Sequence, residues 1–391
     1  MDQIRFSIGD YTEGDSSLPV QVRISPGVDS GSFLVTGMPG SGKSVCGQWL
    51  LYQLAKQGVP VIALDLRSTL AQGQIFPAFW GVFARRAKRH DLYTANLPCP
   101  LFQPMQFPDG TAETAYDTAA AIAGTLSAHF RFGQKQRSIL TDACEQVIQS
   151  GSYGQMGIAA LEGALQHSSS KGAQEVASRL RSLLLHNPFV DGQEPDVEPY
   201  IHIIDLTKYA GDPPTQSSIA ELLLFYIWKR ISSSEVKQPI FIYCDEFQNV
   251  GLRRNGTLWK MITEGRKFGL NVILITQSLS AQFSAEEQQL LLQIPYLLTF
   301  RTAGRDTNCR ARHLSSVENQ REMVRLLNGL NRGSCILSGP AHLGEDAQSI
   351  LEPILVNIQA GRRIVDIPRR ITIRKGPQNS SGTVGRSSTP S

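Results

Sequence analysis

Gly37, Met38, Pro39, Gly40, Ser41, Gly42, Lys43 and Ser44 follow one another in the pattern G-x-x-x-x-G-K-[ST]. Glycines at those spacings let consecutive backbone N–H groups turn inward around an anion. Val45 then continues a helix whose positive end faces the same point. A lysine there reaches the outer phosphates of a nucleoside triphosphate, and a serine hydroxyl can ligate Mg²⁺. Residues 37–45 are therefore expected to bind ATP, with Lys43 on the β- and γ-phosphates and Ser44 on the metal.

Such a loop needs a carboxylate on the metal side, at the tip of a neighbouring strand. Ile240, Phe241, Ile242, Tyr243 and Cys244 form an apolar run that ends in Asp245 and Glu246. Asp245 is expected to hold Mg²⁺ through water. Glu246 is expected to orient and activate the attacking water, so hydrolysis is implied and not binding alone. Further on, another apolar run ends in Gln277, whose amide could sense the γ-phosphate by hydrogen bonding. Arg266 and Lys267 close the intervening helix. On their own they could simply favour the helix C-terminus.

These groups must be carried by elements that bring their tips together. Short apolar or β-branched runs at 33–36, 59–64, 200–206, 240–244, 271–276, 296–300, 334–337 and 354–358 read as strands. Most are continuous rather than alternating, as strands are when helices cover both sheet faces. Helical patterns lie between them, at 44–57, 217–231, 256–268 and 317–328, which implies a mainly parallel α/β sheet. Residues 111–199 break the rhythm. The stretch to about 190 is rich in Ala, Gln, Leu and Ser, carries four helical patterns and shows no strand, so it reads as an all-helical insertion. The expected layout is a short β lead-in at 1–30, a first core segment at 31–110, the insertion, a second core segment at 200–375, and a Gly/Ser/Thr/Pro-rich disordered tail at 376–391.

In that order, the phosphate loop, the helical insertion, the acidic strand about 200 residues later and the run from Thr263 to Gln277 resemble the HerA/FtsK superfamily of P-loop motor ATPases. The spelling from Asp245 to Asn249, with Gln277 to Ser280, is similar to conjugative coupling ATPases, and the run from Glu264 to Gly269 is similar to HerA. The resemblance spans roughly residues 30–360. It implies a RecA-like P-loop core, ATP with Mg²⁺, DNA as the translocated partner, and a ring, a hexamer in the leading reading. A nuclease, a relaxase or secretion components are possible partners. It also implies that Arg266 is an arginine finger reaching a neighbouring subunit's site. Asp65 matches an acidic residue near the nucleotide. Residues 329–339 and 351–358 resemble a closing β-hairpin. Arg301, Arg305, Arg310 and Arg312 are candidates for a second contact in trans or for DNA. A secretion or assembly ATPase that moves protein, or a nucleotide-gated scaffold, stands as the alternative.

Bulk composition narrows the class. The 391 residues are 41% hydrophobic and 18% charged, which suits a water-soluble globular chain. No apolar run reaches the roughly 18 residues of a membrane span, and the start lacks a secretory pattern, so a cytoplasmic location is expected. Six cysteines without CxxC spacing read as reduced. Net charge is +4 but uneven: residues 301–391 hold 14 Lys+Arg against 7 Asp+Glu. Arginine outnumbers lysine 27 to 11, and its planar fork suits phosphate.

Overall fold

A computed structural model describes residues 3–13, 16–107, 109–192, 200–234, 238–344 and 349–358. The chain opens on a hairpin, β1 (Ile4–Glu13) and β2 (Ser16–Ile24). Next come β3 (Phe33–Thr36), α1 (Lys43–Gln57), β4 (Val61–Asp65), α2 (Trp80–Arg86) and β5 (Ala87–Asp91). The helical block holds α3 (Ala115–Phe130), α4 (Gln134–Ser150), α5 (Tyr153–Met156), α6 (Ala160–Gln166) and α7 (Ala173–His186). Two short strands, β6 (Leu97–Pro98) and β7 (Phe189–Val190), flank it and pair with each other. The core resumes with β8 (Ile201–Asp205), α8 (Pro213–Ser232), β9 (Ile240–Asp245), α9 (Thr257–Glu264), β10 (Leu270–Thr276), α10 (Ala285–Leu291) and β11 (Tyr296–Phe300). The last described elements are α11 (Arg305–Leu314), α12 (Gln320–Gly329), β12 (Ser334–Ser338), β13 (Ala341–Leu343), β14 (Ser349–Ile350) and β15 (Ile354–Asn357).

Among the described residues thirteen strands make one sheet, in the order β14-β13-β2-β1-β15-β12-β11-β3-β10-β9-β4-β8-β5. The run from β11 to β5 is parallel throughout, and the remaining strands extend it antiparallel. Parallel strands put all their C-terminal tips on one edge, where ligands of open α/β sheets bind. β10 lies between β3 and β9, so the tips bearing the phosphate loop, Gln277 and the acidic pair are consecutive.

A core forms on each face. Leu34, Ile242 and Leu274 face the helical block and α8, while Val35, Tyr243 and Ile275 face α1. Gly47 brings α1 close to the sheet: a Cβ there would lie 2.5 Å from Ile275 Cδ1 and 2.7 Å from Tyr243 Oη. Gly265 and Gly269 let the chain turn sharply into β10. A Cβ on Gly265 would stand 2.8 Å from Leu270 O, and Gly269 has φ +77. The helix expected at 256–268 accordingly ends at Glu264 and tightens into a 3₁₀ turn.

The β lead-in expected at 1–30 forms a long hairpin over residues 4–24, joined to the sheet and laced to α1. Gln57 accepts from Arg5 N (2.9 Å) and donates to Arg5 O (2.7 Å); Gln53 accepts from Ser7 N (2.7 Å), and Trp49 Nε1 donates to Ser7 O (2.6 Å). These side chains satisfy backbone groups that a neighbouring strand would otherwise take. The region read as strand-free contributes β7, which at two residues is too short to show a period. The strand β5 was not expected either, because its sequence, Ala-Lys-Arg-His-Asp, is polar and earns its pairing only as the sheet edge beside β8. The tail expected to be disordered, 376–391, lies outside the described residues.

Candidate nucleotide site

The loop after β3 takes the shape its glycines permit. Gly37, Gly40 and Gly42 have φ of +150, +75 and +114, and Gly42 caps α1 with no side chain in the way. Side chains would also clash there. A Cβ on Gly37 would meet Phe300 Cβ at 2.7 Å, and one on Gly42 would meet Gly333 N at 3.2 Å. Two backbone bonds fix the loop from outside: Met38 N donates to Arg301 O (2.8 Å), and Gly333 N donates to Ser41 O (2.9 Å). The turns before α11 and β12 therefore form one wall of the site.

Lys43 is buried and donates to Met38 O at 3.0 Å, curled back over the loop. Burial lowers its pKa, an effect partly offset by the nearby charges of Asp245 and Glu246. Ser44 Oγ donates to Asp245 Oδ2 at 3.1 Å, joining residues 201 apart in sequence. Burial, reinforced by the charge of Glu246, pushes Asp245 up to about 6 against the opposing pull of Ser44 and Lys43. A buried carboxylate held above its ordinary range beside a serine hydroxyl is an oxygen pair that fits a hard divalent cation. The donor set and the glycine cradle thus fit Mg²⁺ and a triphosphate together.

Glu246 leaves the strand in the left-handed region, at φ +56, a conformation that costs a non-glycine residue free energy and is concentrated at functional sites. Gln277 Nε2 donates to Glu246 Oε1 at 2.8 Å. Gln248 Nε2 donates to the other oxygen, Oε2. Its role could not be read from spacing, since it sits in the 3₁₀ turn after the acidic pair and only the fold brings it back.

Residues 37–45, 245, 246 and 277 therefore converge, and Arg266 does not. It lies just before β10, at the opposite sheet edge from Gln277. It is exposed, and its Nη1 lies 3.4 Å from Val28 O. Asp65, at the tip of β4, is fully buried and already engaged. It accepts from Thr69 N (2.9 Å), Leu70 N (3.3 Å) and Arg89 Nη2 (3.0 Å), while Arg89 Nη1 reaches Asp205 at 2.6 Å. It holds the loop after β4 in place. The grouping of four arginines also divides. Arg301, Arg305 and Arg312 are exposed, but Arg310 is buried and donates to Thr299 Oγ1, which removes it from the contacts open to DNA or a neighbouring subunit.

The fold superposes on those of known proteins. VirB4 of Thermoanaerobacter pseudethanolicus superposes with a TM-score of 0.65 at 14% identity, covering 90% of this chain and 96% of that one. The bacterial conjugative coupling protein TrwB superposes at 0.56 with 15% identity, covering 84% of this chain and 85% of its own. The same values hold for TrwB in complex with ADP and Mg²⁺. The chain has a RecA-like P-loop ATPase fold. That is the fold the sequence resemblance implied. No protein-family model and no curated protein sequence matches the chain. Within this P-loop ATPase fold, β3, β10 and β9 carry the three tips at which the candidate residues meet. No helix of the described residues is long and apolar enough to cross a membrane.

Proposed function

We propose that the protein is a Mg²⁺-dependent ATPase motor that assembles as a hexameric ring and translocates DNA. One observation carries the hydrolytic half: the Ser44–Asp245 contact beside a Glu246 carboxylate held by Gln277. Bound Mg²⁺ supplies charge neutralisation for the phosphates and a fixed orientation for them. The chain's own residues do the rest. Backbone N–H groups of residues 40–44 cradle phosphate oxygens, Lys43 swings from Met38 O to the outer phosphates, and Ser44 and Asp245 hold the metal side. Glu246 takes a proton from the attacking water, and Gln277 aligns that carboxylate. The complex of TrwB with ADP and Mg²⁺ supports the choice of ligand.

The DNA half draws on charge. Arg301, Arg305, Arg312, Arg321, Arg325 and Arg332 are exposed on elements that follow the C-terminal tip of β11, and Glu318 and Glu322 are the exposed acids among them. A concentration of exposed arginines on the elements that follow β11 suits a phosphate backbone gripped without reading its sequence.

ATPase rates with and without DNA at two salt concentrations test the reading. Stimulation by DNA that collapses at high salt is the expected result. Indifference to DNA with stimulation by a partner protein would favour a secretion or assembly ATPase. Tight ATP binding with negligible turnover, lost in Lys43→Ala and unchanged in Glu246→Gln, would favour a nucleotide-gated scaffold.

A further inference from the structure

Glu246 has two carboxylate oxygens, and an amide from a different element holds each. Gln277, at the tip of β10, takes Oε1; Gln248, in the turn after β9, takes Oε2. A carboxylate that is to accept a proton from water must offer a free lone pair in the right direction. We propose that Gln248 is a positioning residue that holds Glu246 in a resting geometry, turned from the orientation in which it receives a proton from water, so that turnover waits on its release. The inference rests on Glu246 being the water-activating residue.

The neighbours of Gln248 suggest how release is controlled. Its Oε1 lies 2.9 Å from Thr276 Oγ1, and Gln282 Oε1 lies 2.5 Å from the same hydroxyl. Thr276 has a single hydroxyl proton, so the two amide carbonyls compete for it. When Gln282 takes the proton, Gln248 loses its anchor; when Gln282 withdraws, Gln248 is fixed against Glu246. Gln282 is exposed, in the loop that joins β10 to α10, and Ser280 N in that loop donates to Asp306 Oδ1 (2.8 Å) at the start of α11. Movement of the arginine-bearing α11 thereby has a short polar route to the carboxylate: Asp306, the loop, Thr276, Gln248, Glu246.

The test measures unstimulated kcat and KM for ATP on the 391-residue chain. It compares the parent protein with Gln248→Met, which keeps the side chain's length and removes its hydrogen bonds, and with Thr276→Val, Thr276→Ser and Glu246→Gln. Gln248→Met and Thr276→Val should raise unstimulated kcat roughly ten- to a hundredfold, the scale of losing one hydrogen bond to an ionised group. KM should stay within about twofold, because no contact to the nucleotide changes. Thr276→Ser retains the hydroxyl and should behave as the parent does. A fall or no change in kcat for Gln248→Met, with Glu246→Gln inactive, overturns the restraint and leaves the role of Glu246 standing. Full turnover by Glu246→Gln would instead overturn the role of Glu246 and the restraint with it.

Discussion

Asp245 is where ligand binding and folding pull in opposite directions. Its carboxyl is pushed from 3.8 to about 6, chiefly by burial. Between those values the folded chain keeps a proton that the unfolded chain has released, so ionisation at higher pH works against the nucleotide-free fold. The destabilisation is absent below about pH 4 and complete above about pH 6. A divalent cation removes it by supplying the missing positive charge. Asp245→Asn deletes the ionisation while keeping an acceptor for Ser44 Oγ. Urea unfolding of the nucleotide-free protein should show it more stable than the parent by about 1–3 kcal/mol at pH 8. At pH 4 the two should coincide. The same substitution should weaken Mg²⁺-dependent nucleotide binding, the usual exchange of function for stability at a site that concentrates charge. In the parent, that binding should also weaken progressively as pH falls below about 6, when a proton competes for the carboxylate. No stability gain at pH 8 would mean that Lys43 and Ser44 already neutralise the charge.

The elements that hold the site depend on contacts with little local signature. Gln57 is buried on α1 and serves both backbone groups of Arg5, standing in for a strand that β1 lacks at that point. Gln57→Ala would leave a buried N–H and C=O unpaired, and chemical denaturation should report a loss of about 2–4 kcal/mol. Because α1 also presents Lys43 and Ser44, nucleotide affinity should fall with it. Strands β3 and β11 were legible residue for residue, since short continuous apolar runs bounded by turn residues suit a strand covered on both faces. The sheet's antiparallel extension was only partly legible. β12 and β15 showed as apolar runs, but the pairing of β1 and β2 with β15 and β13 joins segments more than 300 residues apart and depends on bonds no local pattern encodes. Arg310 misled for a related reason. An arginine in a basic stretch reads as a surface charge, and only the packing of α11 under β11 puts it against Thr299. Gln248 was illegible because its partner oxygen depends on the left-handed turn at Glu246, which residue type alone would not suggest.

At the scale of the whole molecule, the parallel sheet separates Arg266 from the site it is expected to serve. β10 runs from Leu270 to Thr276 between the Arg266 turn and Gln277, and seven residues at about 3.3 Å each span roughly 20 Å. No rotamer of Arg266 crosses that distance to its own chain's phosphate loop. If the guanidinium contributes to turnover, it does so at the site of an adjacent subunit, stabilising charge on the transferring phosphoryl group. Specific activity should therefore rise with protein concentration as subunits assemble. Arg266→Ala should bind ATP normally and hydrolyse it at least about a thousandfold more slowly. The decisive measurement mixes two inactive variants. In a mixed ring some interfaces pair the intact Glu246 of an Arg266→Ala subunit with the intact Arg266 of a Glu246→Gln subunit, and those interfaces hold a complete site. Random one-to-one mixing gives about a quarter of interfaces that composition, so activity should return to roughly that fraction of the parent's, provided each site fires independently. A chain that used Arg266 in cis would show no recovery at any mixing ratio, because every subunit would still lack one of the two groups.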